Sequence, residues 1–232
     1  MGEPGILPFA VLISGRGSNL AALIDATRRG RLAGEIRLVI SDRPAAGLEH
    51  ARRAGIPSRL VERAAYTSRA AFETELAAAL TAANVELIVL AGFMRVLSAA
   101  FCRRFAGRMI NLHPSLLPKY RGLDTHRRAL AAGDAWHGTS VHLVNAELDG
   151  GPLIAQAALR IESGDDPERL AARLAPLEHR LLVAVTALIA ARRLILHPDG
   201  VRLDDRPLTQ VLSLDQPPLS AFDRLYERRD GR

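Results

Sequence analysis

The run Phe9-Ala10-Val11-Leu12-Ile13 ends in Gly15-Arg16-Gly17-Ser18, after which Leu20, Leu23 and Ile24 fall at helical spacing in a segment that stops at Gly30. A strand, a glycine turn and a helix in that order constrain the fold more than any other stretch. The helix has to cross back over a sheet and deliver the chain to a parallel neighbour. The alternation then repeats. Ile36 to Ile40 reads as a second strand, Leu48 to Ala54 as a helix ending at Gly55, and Ser58 to Val61 as a short third strand. Phe72, Leu76 and Leu80 mark one face of a helix from about Ser68, and Leu87 to Ala91 is the most β-like run in the chain. A helix over Ser98 to Phe105 leads to the strand Met109 to Leu112. Strands apolar on both faces need helices on both sides, so the predicted fold class is α/β, an open, mostly parallel, twisted and Rossmann-like sheet.

Beyond residue 113 the pattern changes. A proline-bounded loop, Pro114 to Pro118, precedes a helix near Thr125 to Ala132, and Thr139 to Leu143 alternates at period two. Leu153 to Ile161 supplies another strand. Asp166 as cap, Pro167 at the first helical position and Glu168 in the first turn open a long helix towards Arg193, with a kink allowed at Pro176. Leu194 to Pro207 reads as a small hairpin turning at Pro198-Asp199-Gly200, and residues 209–232 as a tail. No internal repeat or linker divides residues 1–208, which are expected to form a single domain.

Hydrophobic residues make up 48% and charged residues 24%, values that exclude disordered and fibrous chains. The longest charge-free apolar stretch, Leu181 to Ala191, is far shorter than the roughly 18 residues a membrane span needs. A single cysteine, Cys102, and no leader-like opening after Met1 point to a reducing cytoplasm. The net charge of +6 favours anionic partners, but the arginine pairs are dispersed and lack aromatic interleaving, so nucleic-acid binding rests on charge alone.

Three segments could carry chemistry. Gly17, Ser18 and Asn19 sit where a strand hands over to a helix N-terminus, a natural anion pocket. Leu20 replaces the third glycine of a dinucleotide fingerprint, although Asp42 after the second strand keeps that reading open beside an ordinary βα turn. Asn111 and His113, two apart at the exit of a strand, share a face, so both would enter one cleft while Leu112 turns to the core. Such a pair can donate to a developing oxyanion, although a lone histidine is more often structural. Asp149, in the turn Glu147-Leu148-Asp149-Gly150-Gly151, offers a carboxylate. Set against His113, it would raise the imidazole pKa and favour a protonated general acid. His113, His137 and His142 lack metal-site spacing, so no metal is expected.

Taken together, VLISGRGSNL (11–20), VLAGFMRVL (89–97), MINLHPSLLPKY (109–120) and HGTSVHLVNAELDGGP (137–152) resemble the phosphoribosylglycinamide formyltransferase family of folate-dependent enzymes, from about residue 8 to 205. The resemblance implies transfer of a formyl group from 10-formyltetrahydrofolate, as co-substrate, to the amine of glycinamide ribonucleotide, directly through a tetrahedral intermediate. It makes residues 8–110 the phosphate-binding half and 111–208 the folate and catalytic half. It implies catalytic roles for Asn111, His113 and Asp149, and ribonucleotide contacts at Gly17, Ser18, Asn19 and Glu178. Folate contacts are implied at Arg69, at Met94, Arg95, Val96 and Leu97, and at Asn145, Ala146, Glu147 and Leu148. The implied partners are small molecules, with neither nucleic acid nor membrane, and a homodimer is compatible with it.

The sequence departs from the family pattern at Arg16, Arg121 and Asp124 and in the Pro176-Leu177 stretch before Glu178. Related enzymes that share the Asn, His and Asp chemistry are the methionyl-tRNA and sugar-nucleotide formyltransferases and formyltetrahydrofolate deformylase. Outside that chemistry stand a dinucleotide-dependent oxidoreductase and a basic nucleic-acid-binding protein.

Overall fold

In a computed structural model describing residues 5–214, the chain builds an eight-stranded sheet and a separate three-stranded sheet. The first half follows the predicted alternation: β1 (Leu7–Ile13), α1 (Ser18–Arg28), β2 (Gly34–Ser41), α2 (Gly47–Ala54), β3 (Ser58–Leu60), α3 (Arg69–Ala82), β4 (Leu87–Leu90), α4 (Ala99–Arg104) and β5 (Met109–His113). All pairings among these strands are parallel. The second half holds α5 (Thr125–Ala131), β6 (Trp136–Leu143), β7 (Leu153–Arg160), α6 (Pro167–Ala190), β8 (Leu194–His197), β9 (Gly200–Leu203), β10 (Arg206–Pro207) and β11 (Leu212–Ser213). The large sheet has the order β11-β7-β6-β5-β4-β1-β2-β3 and the small one β10-β9-β8. In the large sheet β6 runs antiparallel to both β5 and β7, so the sheet is mixed while remaining mostly parallel.

Period-two burial along the central strands divides the core. On β1, Leu7, Phe9, Val11 and Ile13 face the layer of α1 and α6, whereas Ala10 and Leu12 face the layer of α3 and α4. On β5, Ile110 and Leu112 join the first layer. Helix α6 begins as the sequence predicts, with the Asp166 carboxylate accepting from the Arg169 N–H at 2.7 Å and Pro167 in the first turn. It continues through Pro176 to Ala190, because the buried stripe from Leu181 onward holds the second half of the helix against the sheet.

At the C-terminal end the expected hairpin forms from β8 and β9 and is extended by β10, which adds antiparallel to β9. One expectation is corrected there. The first residues of the expected tail are part of the main sheet: β11 pairs in parallel with β7, Leu212 beside Ala155, and buries Leu212 and Leu214. The rest of that tail, residues 215–232, lies outside the described residues.

Strands β2 and β4 flank β1, and the chain reverses its direction of travel across the sheet between β1 and β4. Ligands of open α/β sheets bind at the carboxyl edge beside such a switch point. The Gly15–Gly17 turn after β1 and the Gly92–Leu97 segment after β4 leave the sheet there, joined by the Ser14 N–H to Gly92 carbonyl bond at 3.0 Å.

Candidate active site

At the carboxyl end of β5, Asn111 and His113 lie on one face while Leu112 enters the core, as the period of the strand requires. The turn after β6 carries Asp149 to both. Its Oδ1 accepts from the Asn111 amide at 3.4 Å, and its Oδ2 stands 3.4 Å from His113 Nδ1. Asp149 holds a left-handed backbone, φ 46°, which Asp tolerates better than most residues and which turns the carboxylate inward. The Gly122 N–H donates to Oδ2 at 2.9 Å, tying the loop after Tyr120 to the same carboxylate.

His142, cross-strand partner of Asn111, completes the cluster. Its Nδ1 lies 2.9 Å from the Leu143 carbonyl and must donate there, so the neutral ring presents a lone pair at Nε2 to the Asn111 amide, 3.0 Å away. Both hydrogens of the Asn111 amide are therefore engaged, one firmly and one across the longer contact to Asp149.

The electrostatics correct one expectation. Burial pushes the His113 pKa below its ordinary value, and the Tyr120 carbonyl, which accepts from Nε2 at 2.9 Å, and the Asp149 charge offset that only in part. The free protein thus holds His113 neutral near pH 7 rather than protonated. Burial also pushes Asp149 up, but the Gly122 N–H and the imidazoles beside it more than offset that and leave it below the usual carboxylate range. Asp149 is ionised.

The glycine turn forms the second part of the site. Gly17 caps α1 at φ 74°, and a β-carbon there would sit 2.7 Å from the Gly47 α-carbon. Only glycine lets the turn pack this closely on α2 while leaving the first N–H groups of α1 without a side-chain cap. Ser18 and Arg16 are exposed beside it. The Asn19 amide donates to Glu178 on α6 at 3.3 Å, while the Asn19 side-chain oxygen is buried without a partner among the described residues. Burial raises the Glu178 pKa, and the Asn19 bond offsets that only partly.

The residues expected to hold folate divide by their contacts. Met94 and Val96 are more than half exposed and Leu148 nearly so, whereas Leu97 is buried. The Nε of Arg95 donates to the buried carboxylate of Asp42. Asp42 also orders Ser14, whose Oγ accepts from the Met94 N–H at 2.8 Å, so this carboxylate fixes the start of the segment and is no ribose ligand of a dinucleotide. Arg69 opens α3 and donates to Glu73 at 3.0 Å. Asn145 Oδ1 accepts from the Glu147 N–H at 2.9 Å, and the Asn145 carbonyl accepts from the Cys102 thiol at 3.2 Å. Ala146 is exposed, and Glu147 pairs with Arg121.

Asp124, another departure from the family pattern, pairs with Arg127 at 2.6 Å. His126 and His137 meet at 2.9 Å behind the site. Among the described residues no group of three or more His, Cys, Asp or Glu side chains could hold a metal ion, and no helix is long and apolar enough to cross a membrane.

Sequence reasoning missed His142, Asp42 and Glu73 as parts of this site. In the sequence His142 stands out only as one of three histidines without metal-site spacing, and Asp42 only as the carboxylate a dinucleotide reading would use. Nothing in the local pattern marked Glu73.

The family described as formyl transferase matches residues 7–186. Phosphoribosylglycinamide formyltransferase of Escherichia coli K12 is 47% identical over 201 residues, 86% of this chain and 95% of that protein. The solved phosphoribosylglycinamide formyltransferase of Coxiella burnetii superposes with a TM-score of 0.83 at 51% identity, over 88% of this chain and 96% of its own. A formyltetrahydrofolate deformylase of Pseudomonas putida KT2440 superposes at 0.78 with 26% identity, over 88% of this chain and 72% of its own.

Proposed function

Because the chain belongs to the formyl transferase family, we propose that it transfers the formyl group of 10-formyltetrahydrofolate to the amine of glycinamide ribonucleotide in purine biosynthesis. The products are tetrahydrofolate and N-formylglycinamide ribonucleotide. The observation that carries this reading is the convergence of Asn111 and His113 on one carboxylate, Asp149, at the sheet edge where the glycine turn also emerges.

The amine nitrogen bonds to the formyl carbon, negative charge collects on the formyl oxygen, the bond from that carbon to folate N10 breaks, and a proton passes from the amine to N10. Asn111 exchanges its 3.4 Å contact with Asp149 for a hydrogen bond to the developing oxyanion, while His142 keeps the other amide hydrogen and so the orientation. For this relay His113, neutral at the outset, carries its hydrogen on Nδ1 towards Asp149 and gives up the Tyr120 contact, so that the Nε2 lone pair takes the proton from the attacking nitrogen and hands it to N10. While the ring is charged, ionised Asp149 stabilises the imidazolium at the step where it forms.

In the same reading Gly17, Ser18 and Asn19 take the phosphate end of the ribonucleotide, where uncapped N–H groups and the helix dipole favour an anion. Glu178 accepts from the same substrate through its half-buried carboxylate. Met94, Val96 and Leu148 offer the apolar surface that suits a pterin, with Leu97 behind them, Arg95, Asn145, Ala146 and Glu147 shaping the walls, and Arg69 at the outer end. The enzyme would act in the reducing cytoplasm, in keeping with one buried cysteine.

The deformylase reading replaces the amine with water. The anion pocket beside the catalytic cluster favours the ribonucleotide, because water needs no phosphate site. Following folate product by absorbance with the ribonucleotide present or withheld tests this directly. Turnover that depends on the ribonucleotide supports the proposal; equal turnover without it assigns hydrolysis instead.

A further inference from the structure

Glu73 lies on α3 one turn after Arg69 and is only 7% exposed. A carboxylate so buried is costly unless donors satisfy it, and those it has chosen come from two places. Oε1 accepts from Arg69 Nε at 3.0 Å and from the Ser98 N–H at 2.7 Å, and Oε2 accepts from the Ser98 hydroxyl. Ser98 closes the Met94–Leu97 segment and caps α4, its Oγ accepting from the Phe101 N–H at 3.2 Å. The other end of that segment is already fixed, through the Met94 N–H to Ser14 and the Arg95 guanidinium to Asp42.

The bond to Glu73 uses Arg69 Nε, and the two terminal amino groups of the guanidinium have no protein partner among the described residues. The side chain is 48% exposed, with its fork held in one orientation and free to take a planar anion such as a carboxylate. The glutamate tail of a folate is such an anion, and the exposed Met94 and Val96 are such a surface for its ring system.

We propose that Glu73 is a positioning residue of the folate subsite, setting the Arg69 guanidinium and the end of the Met94–Leu97 segment in one fixed relation. The inference rests on the folate reading above. Glu73 does not touch the reacting atoms; it acts through Arg69 and Ser98. Its removal therefore weakens folate binding and leaves ribonucleotide binding and the chemical step alone. A purely structural cap on α4 would instead lower stability with no preference between substrates.

The test is steady-state kinetics on the full chain for wild type, Glu73→Gln, Arg69→Ala and the double variant, with thermal midpoints for each. Wild-type turnover must first be folate-dependent, and if it is not, the functional reading fails rather than the role of Glu73. Given that turnover, Glu73→Gln raises KM for 10-formyltetrahydrofolate by about tenfold, with kcat and the ribonucleotide KM moving by less than about twofold. Adding Arg69→Ala then raises the folate KM by much less than the product of the two single effects, because part of each is the same lost contact. An equal rise in both KM values, a fall in kcat at unchanged folate KM, or fully multiplicative single effects would overturn the proposal. Where Glu73→Gln does not fold, Ser98→Ala replaces it in the cycle under the same criteria, since it removes the hydroxyl arm and keeps the charge.

Discussion

His113 Nδ1 faces Asp149 Oδ2 at 3.4 Å, and the ring is nonetheless held below its ordinary pKa because both groups are buried where Asp149 repays only part of the desolvation cost. In the proposed reading the free enzyme starts from neutral His113 and ionised Asp149. The rate constant kcat/KM should therefore rise with pH through a value below about 6.5, the ordinary histidine pKa, and stay level to pH 8. In Asp149→Asn the carboxylate that supports the imidazolium is gone, and kcat should fall by about a hundredfold or more. A wild-type profile that instead falls on passing from pH 6.5 to 8 would show that a protonated His113 is needed at the start.

Acid should destabilise the fold through its buried imidazoles. Burial, with His126 next to it, pushes His137 down to about 4, and burial also lowers His126 and His179. The unfolded chain binds these protons first, so the stabilisation is complete above about pH 6.5 and is lost as pH falls towards 4. His137 alone accounts for roughly 3 kcal/mol across that window. Denaturant titrations at pH 7.5 and 4.5 measure it, and in His137→Gln the difference between the two should shrink by about that amount.

At the glycine turn the expected defect is confined to one substrate. Gly17→Ala places a methyl group against the Gly47 backbone and asks an L-residue to hold φ 74°. The turn must open, and the ribonucleotide KM should rise at least tenfold by about the cost of such strain, while the folate KM stays within about twofold. Equal effects on both constants would detach this turn from the phosphate.

Gly151 follows the Asp149 turn, and a β-carbon there would collide with the Leu143 carbonyl oxygen on the adjoining strand. Gly151→Ala should lower stability by about 2 kcal/mol or more and lose turnover as well, because the displaced turn carries Asp149. Thermal unfolding and an activity assay on the same preparation check both.

Much of this was readable in the chain. The period of two that puts Asn111 and His113 on one face is a local property of β5, and the strand–turn–helix order already places Gly17 at a helix N-terminus. Asp149 was legible as a turn carboxylate, but its meeting with His113 needed the antiparallel return of β6, which the pattern after residue 113 did not specify. Asp42 and Glu73 escaped because their partners lie far along the chain: Arg95 is 53 residues from Asp42 and Ser98 is 25 from Glu73. The direction of the His113 pKa escaped for a related reason, since proximity of a carboxylate can be guessed from sequence and depth of burial cannot. Strand β11 is two residues held by backbone pairing, and it leaves almost no trace in side-chain pattern.

If Asn111 stabilises the oxyanion of a formyl transfer to glycinamide ribonucleotide, its loss is felt in the chemical step. The decisive measurement is single-turnover formyl transfer by wild type and Asn111→Ala, with 10-formyltetrahydrofolate and the ribonucleotide both saturating. The rate should fall by about a hundred- to a thousandfold, with both substrates still binding within severalfold of wild type. A variant that transfers the formyl group at close to the wild-type rate would contradict it.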